Sequence, residues 1–354
     1  PMNVEEKIIQ TVEENRQEII DFVQKCVQIP SLTGEEKELG DYILKRMIAW
    51  GLDDIELVEK EPGHPNILAR VNGKKEGPTI VFNGHLDVVP VGDESLWTDP
   101  PFSGVIKDGK MSGRGTSDMK AGTCTSILSA VMLKRSGVPL DGNVLLTVVC
   151  DEEVCGERGV IHLLDEKRIQ GDMGINCEPT NIRQVNICHK GILKVQIKVY
   201  GKTAHGSRPY LGINAIEKTV PLLVKIQELE EKLKERSHPI LPPPTILMAM
   251  IESGYAMNIV PDVCTVSLCW RMLPTESKEQ CLKELQDILD DLAQKDTDFK
   301  AEMEVWQGYR PPLDVPEEAP IIGYIQKAHQ YVTGEEIPIG FAGGGVDACF
   351  IVKE

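Results

Sequence analysis

One histidine and several acidic residues follow three apolar runs that predict buried strands, at the point where each run ends. Three acids stand together after the second run, where they would repel one another and be costly to bury unless cations neutralised them. Ligands of open α/β sheets bind beyond the carboxyl ends of the strands, so we expect these groups to converge on bound metal ions. The residues are His85 and Asp87 after the run 78–83, Asp151, Glu152 and Glu153 after 143–150, and Glu178 after 172–177.

The first pair has the spacing of a metal ligand and the group that orients it. Residues i and i+2 of a strand project to the same side, so Asp87 can accept the imidazole N–H of His85. The other ring nitrogen would then be left for a metal. A hydrogen-bonded structural pair without catalytic use is the alternative interpretation.

The other acids also have a catalytic and a structural interpretation. Asp118 stands where a glycine-bearing loop meets a predicted helix, and its carboxylate could bridge two cations ~3.5–4 Å apart or simply cap the helix. One of Glu152 and Glu153 could bind metal while the other takes a proton from metal-bound water, whose pKa falls to ~7. An exposed acidic turn that begins a helix is the alternative for this pair.

The elements that must position these residues indicate an α/β domain with a mixed sheet flanked by helices. At 354 residues the chain exceeds the ~250–300 residues at which one core stops growing, so at least two units are expected. From about Asn186 the order strand, helix, two strands, helix, strand predicts an inserted α+β module. We therefore assign residues 1–185 and 309–354 to the first domain and residues 186–308 to the second.

Two local predictions concern the ends of elements. Thr33 and Glu36 have the spacing of a capping box, which predicts a helix that begins there and ends before Gly51. Residues 256–272 predict a single strand of the second domain.

Charge and composition exclude several function classes. The chain has 38 basic and 55 acidic residues, and its net charge of −17 disfavours binding to nucleic acids and anionic membranes. No apolar run approaches the ~18–20 residues that cross a bilayer, and the acidic N-terminal segment does not resemble a secretory signal. We expect a cytoplasmic enzyme with ten reduced cysteines. The histidines expected at surface or helix positions, away from any metal, are His64, His162, His189, His238 and His329.

Motifs that follow one another over essentially the whole chain carry a family resemblance. In the first domain they read GHLDVVP at 84–90, GRGTSDMK at 113–120, DEE at 151–153 and EPT at 178–180. In the second they read GKTAHGS at 201–207, NIVPD at 258–262 and WRMLP at 270–274. Together these motifs resemble the zinc aminoacylase and carboxypeptidase family, which includes acetylornithine deacetylase, succinyl-diaminopimelate desuccinylase and glutamate carboxypeptidase.

The resemblance implies a di-zinc exopeptidase-type catalytic domain. It also implies a cis peptide bond between Asp118 and Met119. Cobalt and manganese accept the same ligands as zinc, so the native metal stays open. The implied roles are His85 and Glu178 on one zinc, Glu153 on the other, Asp118 bridging both, Glu152 as general base and Asp87 as the group that orients His85.

The second domain resembles the ferredoxin-like lid and dimerisation domain of that family. This implies a homodimer in which His205 reaches the active site of the partner subunit and stabilises the oxyanion of the tetrahedral intermediate. Arg271 would bind a substrate carboxylate, while Asn258 and Gly344 would contact the substrate. An exposed hairpin histidine and an arginine paired with a surface acid are the alternatives.

The sequence after Gly345 departs from the family pattern. Members have a Gly-Gly-Gly-Thr-Asp-Ala turn and, downstream of it, a last metal-binding histidine. Here Val346 replaces the threonine, Cys349 stands where several deacylases have arginine, and no histidine follows. Either the C-terminal strand and helix are missing from this sequence or the second site lacks its histidine. We expect the metal held by Asp118 and Glu153 to bind weakly.

The function that these features predict is hydrolysis of an amide bond, with an N-acyl amino acid as substrate. Glutamate at position 178 is similar to the deacylase and carboxypeptidase branches, whereas dipeptidases tend to have aspartate there. A carboxypeptidase is the first alternative, together with a dipeptidase, which Glu178 favours less. A non-catalytic binding or regulatory dimer with an incomplete second metal site is the second.

Overall fold

The computed structural model describes residues 2–352 as a mixed α/β protein, which confirms the predicted fold class. Its helices are α1 (Val4–Glu14), α2 (Arg16–Gln28), α3 (Lys37–Ala49), α4 (Lys120–Ser136), α5 (Val160–Asp165), α6 (Ala215–Leu233), α7 (Lys278–Lys295), α8 (Pro320–Thr333) and α9 (Ala348–Ile351). Its strands are β1 (Asp53–Val58), β2 (Asn66–Val71), β3 (Thr79–His85), β4 (Val105–Lys107), β5 (Lys110–Ser112), β6 (Asn143–Val149), β7 (Met173–Asn176), β8 (Val185–His189), β9 (Gly191–Tyr200), β10 (Thr245–Ser253), β11 (Val263–Met272), β12 (Lys300–Arg310), β13 (Leu313–Asp314) and β14 (Ile339–Phe341).

The chain forms two compact units. The first contains the residues up to Gln184, Glu318–Ile337 and the residues from Val346 onwards. The second contains Val185–Glu317 and Pro338–Gly345. Val185 and residues 309–317 and 338–345, which we assigned from the sequence to the first domain, therefore belong to the second unit.

The main sheet of the first unit has the strand order β1-β2-β6-β3-β7. Strands β6, β3 and β7 run parallel to one another, whereas β1 and β2 are antiparallel to their neighbours. Helix α4 packs on this sheet through residues such as Ile127 and Val131, which are buried with Phe22 and Leu146 in one core. Three neighbouring parallel strands thus end at the same edge of the sheet, where ligand sites of this kind of sheet form.

The second unit is built on an antiparallel sheet with the order β10-β11-β9-β12. Alternate residues of β9 are buried, as expected for a strand with one face on a core. Helices α6 and α7 supply the other side of that core, and Leu222 and Leu285 are buried in the same cluster as Val195. A smaller sheet of order β13-β8-β14 belongs to the same unit.

Two local predictions are wrong, each for a specific reason. The capping box does not form, because the hydroxyl of Thr33 donates to Asp87 Oδ2 at 3.0 Å and Glu36 accepts from the Gly34 N–H at 2.8 Å. The strand predicted over 256–272 begins only at Val263. The backbone before it is used elsewhere in the unit, since the Val260 N–H donates to Ala204 O and Pro261 O accepts from Ala215.

Candidate metal centre

A row of polar side chains crosses the parallel strands just before they end. Asn176 donates to Asn83 Oδ1 at 2.7 Å, and Asn83 donates to the hydroxyl of Thr147 at 3.2 Å. The Glu178 N–H is 3.3 Å from Asn176 Oδ1, so this row also reaches the residue that follows β7. Each strand thereby holds its neighbour in a fixed register directly below the acidic groups.

Helix α4 brings Asp118 to the same place by close packing against two strand ends. The Cα of Gly122 lies so near the end of β7 that an added Cβ would be 2.1 Å from Cys177 O. An added Cβ on Gly84 would be 2.6 Å from the hydroxyl of Thr123, which donates to His85 O at 2.7 Å. Only glycine permits these two approaches.

The loop that carries Asp118 is anchored from its other side by a buried lysine. Lys120 donates its ammonium protons to Ile29 O at 2.6 Å and Cys26 O at 3.2 Å. Burial lowers the pKa of Lys120 to about 8. The peptide bond between Asp118 and Met119 is cis, which confirms that prediction.

The ring of His85 is buried and has a defined tautomer. Its Nδ1 is 2.9 Å from the main-chain carbonyl oxygen of Asp87, and because a carbonyl only accepts, Nδ1 must carry the proton. In the neutral ring the lone pair of Nε2 is therefore available. We expected the carboxylate of Asp87 to accept this proton, but the main-chain oxygen is the closer acceptor, with the carboxylate 3.4 Å away.

Three carboxylates surround the Nε2 atom of His85. It lies 3.3 Å from Asp118 Oδ1, 3.3 Å from Glu178 Oε1 and 3.8 Å from Glu152 Oε2. None of these contacts has hydrogen-bond geometry, so Nε2 is a buried nitrogen without a hydrogen-bond partner among residues 2–352. A buried polar atom left in this way is costly unless something else binds it.

His85, Asp118 and Glu178 together have the composition and spacing of a metal site, and we call them the metal cluster. Their ligand atoms all lie within 4.8 Å of one another. One imidazole and two carboxylates are a donor set that zinc, cobalt and manganese accept. Burial lowers the pKa of His85, but the surrounding Asp118, Asp87 and Glu178 outweigh it and raise that pKa well above its ordinary value. The cluster therefore favours a positive charge at this point.

Asp87 holds the backbone of both glutamates that follow β6. Its Oδ1 accepts from the Glu152 N–H at 3.0 Å and its Oδ2 from the Glu153 N–H at 3.1 Å. Burial raises the pKa of Asp87, but His85, Glu153 and Thr33 lower it to below its ordinary value. The sequence did not indicate that Asp87 accepts from these two N–H groups, because the bonds join residues 65 and 66 positions apart.

Glu152 and Glu153 differ in their surroundings. Glu152 is buried and faces the Nε2 atom of His85. Glu153 is half-buried. Among the described residues, it does not belong to the metal cluster, whose ligand atoms lie within 4.8 Å of one another. Burial, together with the charges of Asp118 and Glu152, raises the pKa of Glu153 to about 7 although His85 lowers it. Its assignment as a ligand of a second metal stays a prediction.

In the second unit the structure brings His205 and Asn258 onto adjacent segments. The Gly206 N–H donates to Asn258 O at 2.7 Å, and His205 pairs with Ile259. The His205 side chain is exposed, and its Nδ1 accepts from the Ser207 N–H at 3.2 Å. A neutral His205 ring therefore carries its proton on Nε2, where it can donate to an external oxygen.

The two remaining predicted substrate contacts also belong to the second unit. Arg271 lies half-buried on β11, paired with Ile192 of β9 and Thr245 of β10. Burial and the charge of Arg271 together lower the pKa of Lys190. Gly344 follows β14, and open space surrounds the position of an added Cβ. The substrate-binding roles of both residues stay predictions.

The family comparison agrees with the metal cluster. The model of peptidase family M20/M25/M40 matches residues 81–354, which is well over half of the chain and contains every residue of the cluster. The chain belongs to this family. It is accordingly a metallohydrolase that acts on amide bonds. Within residues 2–352 of this M20 protein, no helix is both long and apolar enough to span a bilayer.

Curated relatives of this M20 protein include enzymes named for removing acyl groups. It is 27% identical over 339 residues to a succinyl-diaminopimelate desuccinylase from Marinobacter nauticus, covering 94% of this chain and 86% of the relative. It is 26% identical to an N-formyl-4-amino-5-aminomethyl-2-methylpyrimidine deformylase from Halalkalibacterium halodurans, covering 95% and 84%. A dinuclear metal-binding M20 peptidase from Bacillus subtilis has the same fold, with a TM-score of 0.70, 16% identity and coverage of 96% and 86%.

Proposed function

We propose that this M20 protein is a zinc-dependent deacylase that cleaves the amide bond of an N-acyl amino acid. The observation that carries the proposal is the buried Nε2 of His85, which has no hydrogen-bond partner in the described chain and faces three carboxylates. That arrangement is stable when a cation is bound among the four groups. Two relatives named as a desuccinylase and a deformylase support acyl removal over peptide cleavage.

We propose two metal ions, as in the dinuclear M20 peptidase from Bacillus subtilis. His85 and Glu178 would hold one ion, Glu153 the other, and Asp118 would be shared between them. Such ions polarise the amide carbonyl and lower the pKa of bound water, which supplies the electrophile and the nucleophile for hydrolysis.

Glu152 is proposed to move the protons of the reaction. Its carboxylate is buried beside the metal cluster, and Asp87 fixes its backbone N–H. From that position it can take a proton from the attacking water and deliver a proton to the nitrogen of the leaving amine. The two transfers balance, so the carboxylate is regenerated at the end of each turnover.

His205 is proposed to donate its Nε2–H to the oxygen of the scissile carbonyl as negative charge develops there. The Ser207 N–H supports this role, because it occupies Nδ1 and leaves the proton of the neutral ring on Nε2. Asn258, on the adjacent segment, is proposed to bind the substrate amide. Arg271 is proposed to bind the carboxylate of the amino acid, with Gly344 beside the substrate.

We propose that His205 acts in the site of a partner subunit within a homodimer. The second unit has a surface suited to a second copy, because β10 is an edge strand of its sheet. Apolar side chains are exposed on β10 and α6, including Leu247, Ile251, Val220 and Val224. An exposed edge with apolar neighbours tends to be covered by another chain.

The experiment that tests the proposed function is a substrate panel with and without a chelator. N-formyl, N-acetyl and N-succinyl amino acids are compared with dipeptides at neutral pH. We expect hydrolysis of at least one N-acyl amino acid, loss of activity after chelation and recovery with zinc. Cleavage of dipeptides alone would replace the deacylase by a peptidase. Zinc binding without hydrolysis of any panel member by a dimeric protein would favour the non-catalytic alternative.

A matched pair of variants identifies the catalytic acid within that assay. Glu152→Gln should lower the rate of hydrolysis ~10²–10⁴-fold. Glu157→Gln, which changes an exposed acid five residues further on, should leave the rate unchanged. Equal activity of the two variants would contradict the role proposed for Glu152.

A further inference from the structure

The segment Asp151–Arg158, which we call the 151–158 loop, carries both catalytic glutamates and has an unusual backbone. Asp151 and Cys155 have φ angles of 69° and 87°, in a region that residues other than glycine rarely adopt. Such a conformation persists only where its surroundings hold it. The Asp87 carboxylate accepts from the N–H groups of Glu152 and Glu153, which lie between these two residues.

Arg158 closes the loop on the carboxylate of Asp151. Asp151 Oδ2 accepts from the Arg158 main-chain N–H at 3.1 Å, and Asp151 Oδ1 accepts from Nε at 3.0 Å and from Nη2 at 2.5 Å. The side chain of Asp151 is only 3% exposed. Arg158 therefore donates three hydrogen bonds to a buried carboxylate next to Glu152. One comes from its main chain, and two are charge-assisted bonds from its guanidinium.

The guanidinium of Arg158 is itself held by His64. Its Nη1 is 3.1 Å from Nε2 of His64, and because arginine only donates, His64 must carry its proton on Nδ1. That Nδ1 lies 3.3 Å from Oε2 of Glu36, a fully buried carboxylate, but without hydrogen-bond geometry. His64, which we assigned from the sequence to a surface or helix position, is thus a partly buried acceptor for Arg158 that lies beside Glu36.

Asn66 ties together the two ends of the 151–158 loop. Its Oδ1 accepts from the Cys150 N–H at 3.2 Å, and its Nδ2 donates to Arg158 O at 2.8 Å. The loop therefore leaves and returns to the same buried side chain. With its ends fixed in this way, the position of its acidic residues depends on Asp87 and on the contacts made inside the loop.

We propose that Arg158 is a positioning residue for Glu152 and Glu153, acting through Asp151 as a second anchor of the loop in addition to Asp87. His64, which accepts from Nη1 of Arg158, holds the arginine side chain in the orientation that this role requires. Arg158 touches neither substrate nor metal in this account. The inference rests on the proposed function, in which Glu152 transfers protons and Glu153 binds metal.

The test uses readouts that do not require a known substrate. Zinc affinity is measured by competition with a chromophoric chelator, and amide hydrogen exchange of Glu152 and Glu153 is measured in the metal-free full-length protein. We expect Arg158→Ala to weaken zinc binding ~10–100-fold, the range found when groups that hold metal ligands are removed. Exchange of the two amides should be faster by at least ~10-fold, as a loosened loop opens more often.

Further variants keep the test decisive if Arg158→Ala does not fold. Arg158→Lys retains a charge near Asp151 but not the Nε and Nη2 pair, and it should weaken zinc binding less than Arg158→Ala. His64→Ala should accelerate the same two amides by a smaller factor. Glu61, exposed and 3.7 Å from Arg158, provides the control, and Glu61→Gln should match the wild-type protein.

Chemical rescue separates positioning from simple structural support. Millimolar guanidinium added to folded Arg158→Ala should recover part of the zinc affinity, and if a substrate is known, part of kcat with KM little changed. Folded Arg158 variants with wild-type zinc affinity and wild-type exchange of Glu152 and Glu153 would overturn the proposal. If no substrate in the panel is hydrolysed, the proposed function is contradicted. The measurements of zinc affinity and amide hydrogen exchange still test the role of Arg158.

Discussion

The metal cluster of the first unit and the His205 segment of the second unit hold reactive side chains in different ways. His85 is buried, and the groups around it come from three strand ends and a helix that the sheet holds in register. His205 is exposed, and its ring is oriented by Ser207 only two residues away. The geometry of the metal cluster therefore depends on the whole fold of its unit, whereas the orientation of the His205 ring depends on hydrogen bonds to a near neighbour in the sequence.

A consequence is that function and stability should be coupled in one region and separable in the other. Removing a buried partner leaves other buried polar groups unpaired, which costs about 1–3 kcal/mol for each group. Removing an exposed side chain away from such features changes stability by about 0.5 kcal/mol or less. Substitutions in the two regions can therefore test whether activity and stability change together.

The largest effect is expected for Glu152→Gln. The variant retains the size of the side chain but cannot take a proton, so kcat should fall ~10²–10⁴-fold. Zinc affinity, measured by chelator competition, should stay near that of the wild-type protein, because Glu152 is not assigned as a ligand. A large loss of zinc affinity in this variant would instead make Glu152 a metal ligand.

His205→Ala should give the next largest loss of activity, ~10²–10³-fold, since it removes one donor to the developing oxyanion. Its melting temperature should equal that of the wild-type protein, because the side chain is exposed. A melting point several degrees lower would show that this segment is not held locally.

The same variant also tests action across a homodimer. Mixing His205→Ala with Glu152→Ala under subunit exchange should restore about a quarter of wild-type activity, because half of the dimers are mixed and each has one intact site. No recovery would place His205 in its own subunit's site or outside the reaction.

Asp87→Ala should lower activity and stability together. It removes the acceptor of the Glu152 and Glu153 N–H groups and of the Thr33 hydroxyl. We expect activity to fall ~10–100-fold. The free energy of unfolding should fall by about 2–4 kcal/mol, measured by urea denaturation. Asp87→Asn, which keeps one acceptor oxygen, should lose less of both, and equal losses would argue against a role in holding the two N–H groups.

The smallest effect expected is a pH dependence of the metal-free protein that arises from Glu153. Its pKa is raised from 4.5 to about 7, so the folded state binds the extra proton between these values and stability should fall as pH rises through them. The whole shift would correspond to about 3.4 kcal/mol, but Glu153 is only half-buried and water screens its interactions, so we expect a loss of about 2 kcal/mol. This loss should be absent from Glu153→Gln. The free energies of unfolding of the two proteins are compared from pH 4 to 8, and a difference that grows with pH in favour of the wild type would contradict this assignment.

Sequence reasoning was most informative where chemistry follows from local spacing. Acids placed directly after apolar runs indicated which strand ends lie at the site, and the structure has His85, Glu152 and Glu178 at the ends of neighbouring parallel strands. These predictions depend on short segments whose residue types are themselves the signal. The cis peptide bond after Asp118 was also predicted, but from the family resemblance.

Contacts between distant segments could not be predicted in the same way. The capping box expected from Thr33 and Glu36 gave way to bonds with Asp87 and Gly34 that depend on how β3 passes the start of α3. The hydrogen bond between Arg158 and His64 joins residues 94 positions apart, and nothing in the spacing of those residues indicates it. Register and packing decide such contacts, and neither can be read from one sequence.

The central claim is that His85, Asp118 and Glu178 bind a divalent cation. Anomalous diffraction at the zinc absorption edge, from crystals of the zinc-loaded protein, tests it most directly. We expect a strong anomalous peak from zinc ~2.0–2.2 Å from Nε2 of His85 and from carboxylate oxygens of Asp118 and Glu178. A zinc-loaded protein whose ions bind only at other residues, with the three side chains apart from them, would contradict it.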